Sequence, residues 1–167
     1  MGLLSKLFGK EEPKVETVKG GLYAPVTGEY IKLEDINDGV FSAGILGPGC
    51  GIEPKEETIV APCNGTVTTV AETKHAVGIM SDDGAEVLIH VGMDTVEMNG
   101  DGFSVKVKEG EKVNCGKTLL TFSASKIQAA GHPVTTAFIV TNADDLGEII
   151  LDVGKHYMKT EKFGQIN

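Results

Sequence analysis

The sequence predicts an all-β fold, a sandwich or barrel assembled from two related β units with one or two very short helices. Three observations carry this. Short runs of alternating apolar residues lie between Gly- and Pro-rich turns along most of the chain. One turn-strand pattern occurs twice, and only residues 33–38 and 123–130 invite helix.

The repeat opens the folded part. Ala24-Pro25-Val26-Thr27-Gly28-Glu29-Tyr30-Ile31 and Ala61-Pro62-Cys63-Asn64-Gly65-Thr66-Val67-Thr68 share Ala-Pro, two residues, Gly, then alternation. Pro fixes one torsion and Gly supplies the open one, so each copy sets a turn ahead of a strand. Two copies are too few for a solenoid. The simpler account is two β units, each burying what the other cannot. Residues 77–80 and 86–91 follow as strands joined by the turn Asp82-Asp83-Gly84, a hairpin signature. The turn Asn99-Gly100-Asp101-Gly102 comes next, then a turn-strand pair over 109–120 and strands at 135–141 and 149–153.

Residues 1–20 read as an amphipathic, flexible N-terminal segment ahead of a single domain over 21–167. Leu3, Leu4, Leu7 and Phe8 fall on one helical face, with Ser5, Lys6 and Lys10 elsewhere. Residues 1–10 are too few to span a bilayer and lack a signal-peptide cleavage region. Lys6 stands where a myristoylation signal wants a hydroxyl. Weak, reversible contact with an anionic membrane surface is the expectation. Residues 10–21 read as linker.

A length of 167 residues is one domain's worth, enough for a sizeable core, and 41% apolar content argues against disorder. The net charge of −9 speaks against a nucleic-acid partner, which wants a basic face. All 15 cationic side chains are Lys, so a phosphate handled here must rely on Lys, backbone amides, hydroxyls or imidazole rather than an arginine fork. Cys50, Cys63 and Cys115 are widely spaced and odd in number, with no signal peptide ahead of them. Reduced thiols near the core of a cytoplasmic protein are expected.

The chemistry concentrates between residues 72 and 103. In Glu86-Val87-Leu88-Ile89-His90-Val91 the odd-numbered apolar set wants the core, which puts His90 beside Leu88 on the other face, open to solvent or a partner. Gly92 follows and is expected to leave backbone room for another molecule. Upstream, Glu72-Thr73-Lys74-His75-Ala76 leads into the preceding strand, so His75 and His90 become antiparallel neighbours about 5 Å apart. A lone strand histidine is ordinarily a hydrogen-bonded structural residue; a second one alters the balance. One could be a nucleophile while the other screens the group received, or both could bind a metal.

Thr73-Lys74-His75-Ala76, the run from Glu86 to Asp94 with Thr95-Val96-Glu97, and Gly100-Asp101-Gly102-Phe103 resemble the glucose-type IIA proteins of the bacterial phosphoenolpyruvate-dependent sugar phosphotransferase system. The resemblance extends to Tyr23-Ala24-Pro25, Val60-Ala61-Pro62 and Thr141-Asn142, nearly the whole chain from about residue 20. It implies an antiparallel β-sandwich built on a duplicated motif, and a phosphocarrier. His90 would accept a phosphoryl group from phosphohistidine on the small carrier HPr. It would pass the group to the IIB domain of a glucose-type sugar permease, with His75 assisting. The acceptor nitrogen would be Nε2, with Nδ1–H tied to a backbone carbonyl. A neutral imidazole is an able nucleophile near neutrality, and a loose phosphoryl transition state needs positioning and charge stabilisation above all. Thr73 is expected to offer a hydroxyl to the phosphoryl oxygens. No cofactor is required on this reading; a Zn²⁺ ion shared with a partner through His75 and His90 is the one metal the resemblance admits.

Around the pair a partner surface is expected. Val40, Phe41, Leu88 and Val96 would form an apolar rim that excludes water, and Asp38, Asp94 and Glu97 would ring it with charge suited to a basic partner. The chain departs from the resembled pattern at Ala71, Gly78, Leu88 and Val91, where aromatic residues are common, which leaves regulatory targets and the identity of the IIB acceptor open. His132 and His156 read as surface residues. Three rival readings come from other classes. A zinc enzyme would use His75, His90 and Asp94 as ligands. A biotin or lipoate carrier would use Lys117, which lacks the flanking residues such a lysine needs. A purely regulatory binding protein would have no use for an intact histidine pair.

Overall fold

The two Ala-Pro turns face one another. Tyr23 N–H donates to Pro62 O at 2.9 Å, and Val60 N–H donates to Pro25 O at 2.8 Å. These reciprocal bonds join equivalent positions of the two copies. In this computed structural model, which describes residues 14–167, the same equivalence runs through every strand.

The strands are β1 (Gly21–Tyr23), β2 (Gly28–Lys32), β3 (Gly49–Pro54), β4 (Thr58–Val60), β5 (Gly65–Val70), β6 (Ala76–Ser81), β7 (Glu86–His90), β8 (Phe103–Val105), β9 (Lys112–Val113), β10 (Thr118–Phe122), β11 (Thr136–Val140), β12 (Ile149–Leu151), β13 (Lys155–Tyr157) and β14 (Lys162–Ile166). An eight-stranded sheet has the order β13-β2-β3-β11-β7-β6-β5-β9, and two three-stranded sheets have the orders β1-β14-β12 and β4-β10-β8. All pairings are antiparallel.

Read outward from its centre, the large sheet is a palindrome. β11 and β7 answer each other, then β3 and β6, β2 and β5, β13 and β9; the two small sheets exchange as wholes. The register Ala137↔His90, Phe138↔Ile89, Ile139↔Leu88 runs the pseudo-twofold axis through the Phe138–Ile89 pair. The rotation therefore carries His90 onto Ile139. It carries His75, whose carbonyl accepts from Val91 N at 2.8 Å, onto Pro48, whose carbonyl accepts from Val140 N at 2.9 Å. The histidines belong to one half only.

The main core lies between the large sheet and the two small ones and holds Val77, Ile79, Val87, Ile89, Val91 and Phe138, all fully buried. The odd-numbered apolar set of β7 is in it, as the alternation requires. The opposite face of β7 differs from expectation, since it is covered rather than open. Ile36, Phe41, Met93, Ala137 and Ile139 form a second cluster there, with Ile31, Leu33 and Leu88 packed against it. The cause is an unequal pair of connections: residues 33–48 join β2 to β3, whereas residues 71–75 join the equivalent β5 and β6. The longer connection folds back over the sheet.

Of the two helical stretches, one is α1 (Ala124–Ala129), capped by the Ser123 side chain accepting from Lys126 N. The other is a single 3-10 turn, Leu33–Asp35, because Ile36 turns extended to reach the second cluster. Two further 3-10 turns, Thr95–Met98 and Ala143–Asp145, carry no hydrophobic periodicity that would announce them. Residues 1–10 lie outside the described residues. Within the stretch read as linker, Thr17, Val18 and Gly20 are hydrogen-bonded to Asn64, Tyr23 and Asp83.

Candidate functional site

His90 is the last residue of β7, and its direct cross-strand partners are Ala76 on β6 and Ala137 on β11. Two methyl groups where larger side chains would stand leave space for an imidazole on that face. His75 comes just before β6. Lys74 takes a left-handed conformation (φ 65°), its N–H bonds to Ala71 O at 2.8 Å, and Ala71 N–H bonds to Ala76 O at 3.0 Å. That turn delivers His75 one place beyond the residue facing His90, so the rings meet diagonally rather than directly across the pair. Their centroids are 4.6 Å apart and their planes nearly perpendicular, at 82°.

Each ring is pinned through Nδ1. His90 Nδ1 lies 2.9 Å from Gly92 O, and His75 Nδ1 lies 2.8 Å from Thr73 Oγ1. A carbonyl only accepts, so His90 carries its proton on Nδ1 and its Nε2 holds a free lone pair. Neither Nε2 has a hydrogen-bond partner among the described residues, and no buried side-chain nitrogen or oxygen there goes without one; each Nε2 therefore touches solvent. His90 is half-buried. His75 is more enclosed than expected, at 6% exposure. Burial first, and then the charge of His75, push the His90 imidazole down to about 4, and burial also lowers His75. Both rings are neutral at neutral pH.

Gly92 and Thr73 do other work than expected. Gly92 has φ 76°, and a β-carbon on it would come within 2.5 Å of Thr95 Cγ2 and 3.1 Å of Pro133 O. Its missing side chain makes room for the protein's own turn, and its carbonyl fixes His90. The Thr73 hydroxyl, expected to be free for a bound group, is engaged with His75 Nδ1.

The expected rim is there in part. Asp38 caps the covering connection, its carboxylate accepting from Phe41 N at 2.8 Å and Ser42 N at 3.1 Å. Partial burial pushes the Asp38 carboxyl upward, yet the bonds from Phe41 and Ser42 outweigh it, and the group is held below its usual range. The capped Phe41 lays its ring 4.9 Å from His90. Leu88 belongs to the second cluster instead of an open rim. Val40 and Val96 are exposed, as are Asp94 and Glu97. Three contributors escaped the sequence reading. Phe103 stands 6.3 Å from His75, and on the connection that carries Phe41 the side chains of Ile45, 72% exposed, and Leu46 are open to solvent. Phe103 lay inside the recognised motif, but Ile45 and Leu46 sit in a stretch with no periodic signal.

Elsewhere, Asn142 clamps the β6–β7 hairpin, accepting from Glu86 N and donating to Gly84 O. The His132 side chain, expected at the surface, is 13% exposed with Nε2 3.7 Å from Glu97. His156 is exposed beside Glu29, as expected. All three cysteines are free and buried. Among the described residues no three His, Cys, Asp or Glu side chains are grouped so as to hold a metal ion, and His75, His90 and Asp94 do not form such a set. No helix among them is long and apolar enough to cross a membrane.

Residues 20–146 match the family described as phosphoenolpyruvate-dependent sugar phosphotransferase system, EIIA 1. The chain is 46% identical over 149 residues to the PTS system beta-glucoside-specific EIIBCA component of Bacillus subtilis (strain 168), covering 88% of this chain and 24% of that longer protein. It is 42% identical over 147 residues to the PTS system glucose-specific EIIA component of Staphylococcus aureus (strain MRSA252), covering 88% of this chain and 87% of the relative. Among solved structures, the glucose permease IIA of Mycoplasma capricolum superposes with a TM-score of 0.78 at 32% identity, over 86% of this chain and 93% of that one. With its β-sandwich and its family both in hand, the chain belongs to the EIIA 1 family of the sugar phosphotransferase system and is a phosphocarrier of that system.

Proposed function

We propose that His90 Nε2 is the atom that carries the phosphoryl group, taking it from a phosphohistidine of HPr and giving it to the IIB domain of a glucose-type permease. The observation that supports this most is the hydrogen bond between His90 Nδ1 and Gly92 O, which leaves Nε2 bare, neutral and facing solvent beside a second imidazole. In the first transfer the donor's P–N bond breaks, its electron pair stays on the donor imidazole, and the Nε2 lone pair forms the new P–N bond. No proton has to leave His90, because its proton sits on Nδ1. In the second transfer the same bond breaks toward IIB.

His75 assists. This role requires the Thr73 hydroxyl, 2.8 Å from Nδ1, to be the donor of that bond, so that the ring's own proton stays on Nε2 and is donated to a phosphoryl oxygen. The arriving dianion favours a protonated neighbour, so the ring that burial keeps neutral in the empty carrier gains donor strength once the site is loaded. Phe41 and Phe103 wall the crevice and limit water, the competing acceptor. The exposed Val40, Ile45 and Leu46, on the connection that lays Phe41 against His90, and Val96, in the turn after Gly92, would offer a partner its apolar contacts, with Asp38, Asp94 and Glu97 answering a basic rim. The protein works on the cytoplasmic side, consistent with its three free thiols. A zinc ion bridging to a partner would use the same two Nε2 atoms, with the partner supplying the other donors, so zinc and phosphate would exclude each other.

The test is direct. Incubated with phosphoenolpyruvate, enzyme I and HPr, the protein gains the mass of one acid-labile phosphoryl group, and His90→Ala does not. His75→Gln still loads but fails to deliver to IIB. Loading of His90→Ala, or normal delivery by His75→Gln, refutes the assignment.

A further inference from the structure

The bare Nε2 depends on where the Gly92 carbonyl points, and that direction is set by groups outside the histidine pair. Thr95 is fully buried, and its hydroxyl donates to Val91 O at 2.6 Å. Its methyl group packs where a β-carbon of residue 92 would be. The bond fixes the Val91–Gly92 peptide plane. The next plane, Gly92–Met93, is held at its other edge, because Met93 N–H donates to Pro133 O at 3.1 Å. In a trans peptide the N–H and C=O point in opposite directions. Anchoring Met93 N–H on Pro133 therefore turns Gly92 C=O the other way, onto His90 Nδ1 at 2.9 Å.

We propose that Thr95 is a positioning residue for phosphoryl acceptance: by locking the turn from Val91 to Thr95 it aims the Gly92 carbonyl at His90 Nδ1 and leaves Nε2 as the only acceptor nitrogen. The inference rests on the reading of His90 as the acceptor. Pro133 O is the second anchor of the same turn. A main-chain carbonyl cannot be removed by substitution, so Thr95 is the side chain through which the arrangement can be tested. Without its hydroxyl, Val91 O loses its partner, the peptide is free to tilt, and the neutral imidazole populates both tautomers. A ring protonated on Nε2 has no lone pair there and cannot accept.

The experiment uses the full-length protein with ¹⁵N-labelled histidine. In wild type, His90 is expected as the Nδ1–H tautomer alone, with the phosphoryl group on Nε2 after loading. Thr95→Val and Thr95→Ala are expected to show mixed tautomers and to load about tenfold more slowly, the lower range for losing a group that orients a reacting ligand. Thr95→Ser, which restores the hydroxyl, recovers a single tautomer and most of the rate. The proposal is overturned if Val and Ala variants that melt as folded proteins keep the Nδ1–H tautomer and load within twofold of wild type. It is equally overturned if both lose their fold, which would make Thr95 a stability residue. Failure of the wild type itself to load from HPr would instead remove the His90 reading, while the tautomer spectra still report on Thr95.

Discussion

At the scale of single residues the decisive quantity is the protonation state of His90. An unfolded histidine titrates near 6.5 and the folded ring near 4. Between those values the unfolded chain binds the extra proton, so stability is full above about pH 6.5, declines as pH falls toward about 4, and levels off below. This ring contributes a slope of up to about 1.4 kcal/mol per pH unit in that window, and His75 adds in the same direction. Urea midpoints measured against pH should show the slope, and His90→Ala should flatten it. Catalysis follows the same logic. Because the acceptor is already neutral, the loading rate is expected to change little from about pH 8 to about pH 6. A rate that halves near an ordinary histidine pKa would contradict the observed burial. That the chain brings His75 and His90 to neighbouring strands was legible in the alternation around them. Their diagonal meeting was not, since it depends on the left-handed turn at Lys74, a residue type that gives no local warning.

Among the elements, the β6–β7 hairpin was readable because alternation and Asp-Asp-Gly are local signals. The covering connection over residues 33–48 was not. It buries Phe41 and Ile36 through tertiary contact without periodicity, and so a strand face that sequence logic leaves open is closed. The turn after β7 was half legible. Gly92 stood out, but its purpose is seen only with Thr95 and Pro133 around it. Gly92→Ala should therefore do more than lose flexibility: it places a methyl group against Thr95 in a left-handed backbone. It is expected to destabilise by about 1–3 kcal/mol in urea unfolding and to slow loading, through the displaced carbonyl. A variant that melts like wild type and loads at full rate would show that the turn yields without cost.

For the molecule as a whole, the net charge of −9 and the exposed Val40, Ile45, Leu46 and Val96 are the features through which the proposed docking on a basic, apolar-centred partner would act. Loading from HPr at limiting concentration is expected to slow as salt is raised, since screening acts on exposed charges within about 10 Å at 0.1 M. Ile45→Glu, at a site 72% exposed, should leave the melting temperature within about 2 °C and weaken transfer with one or both partners. Unchanged transfer would put the docking patch elsewhere. The duplicated fold was visible in the Ala-Pro repeat, because each copy carries its own turn chemistry. The exchange of whole sheets about the Phe138–Ile89 pair was not, since β8 and β12, or β9 and β13, share too few side chains to be matched by eye.

The unequal lengths of the two equivalent connections have a further consequence. On the proposed reading the two imidazoles and the groups that aim them sit at strand ends and one tight corner, where a change of sequence disturbs the chemistry, and the loop adds only Phe41 against His90. Much of the proposed docking surface hangs on a single loop, and at Gly39 and Gly44 even an added side-chain carbon would meet nothing within 4 Å. On that reading such a carrier could be readdressed by rewriting the loop's exposed positions, with Ile36 and Phe41 kept to hold its cargo bay as it is.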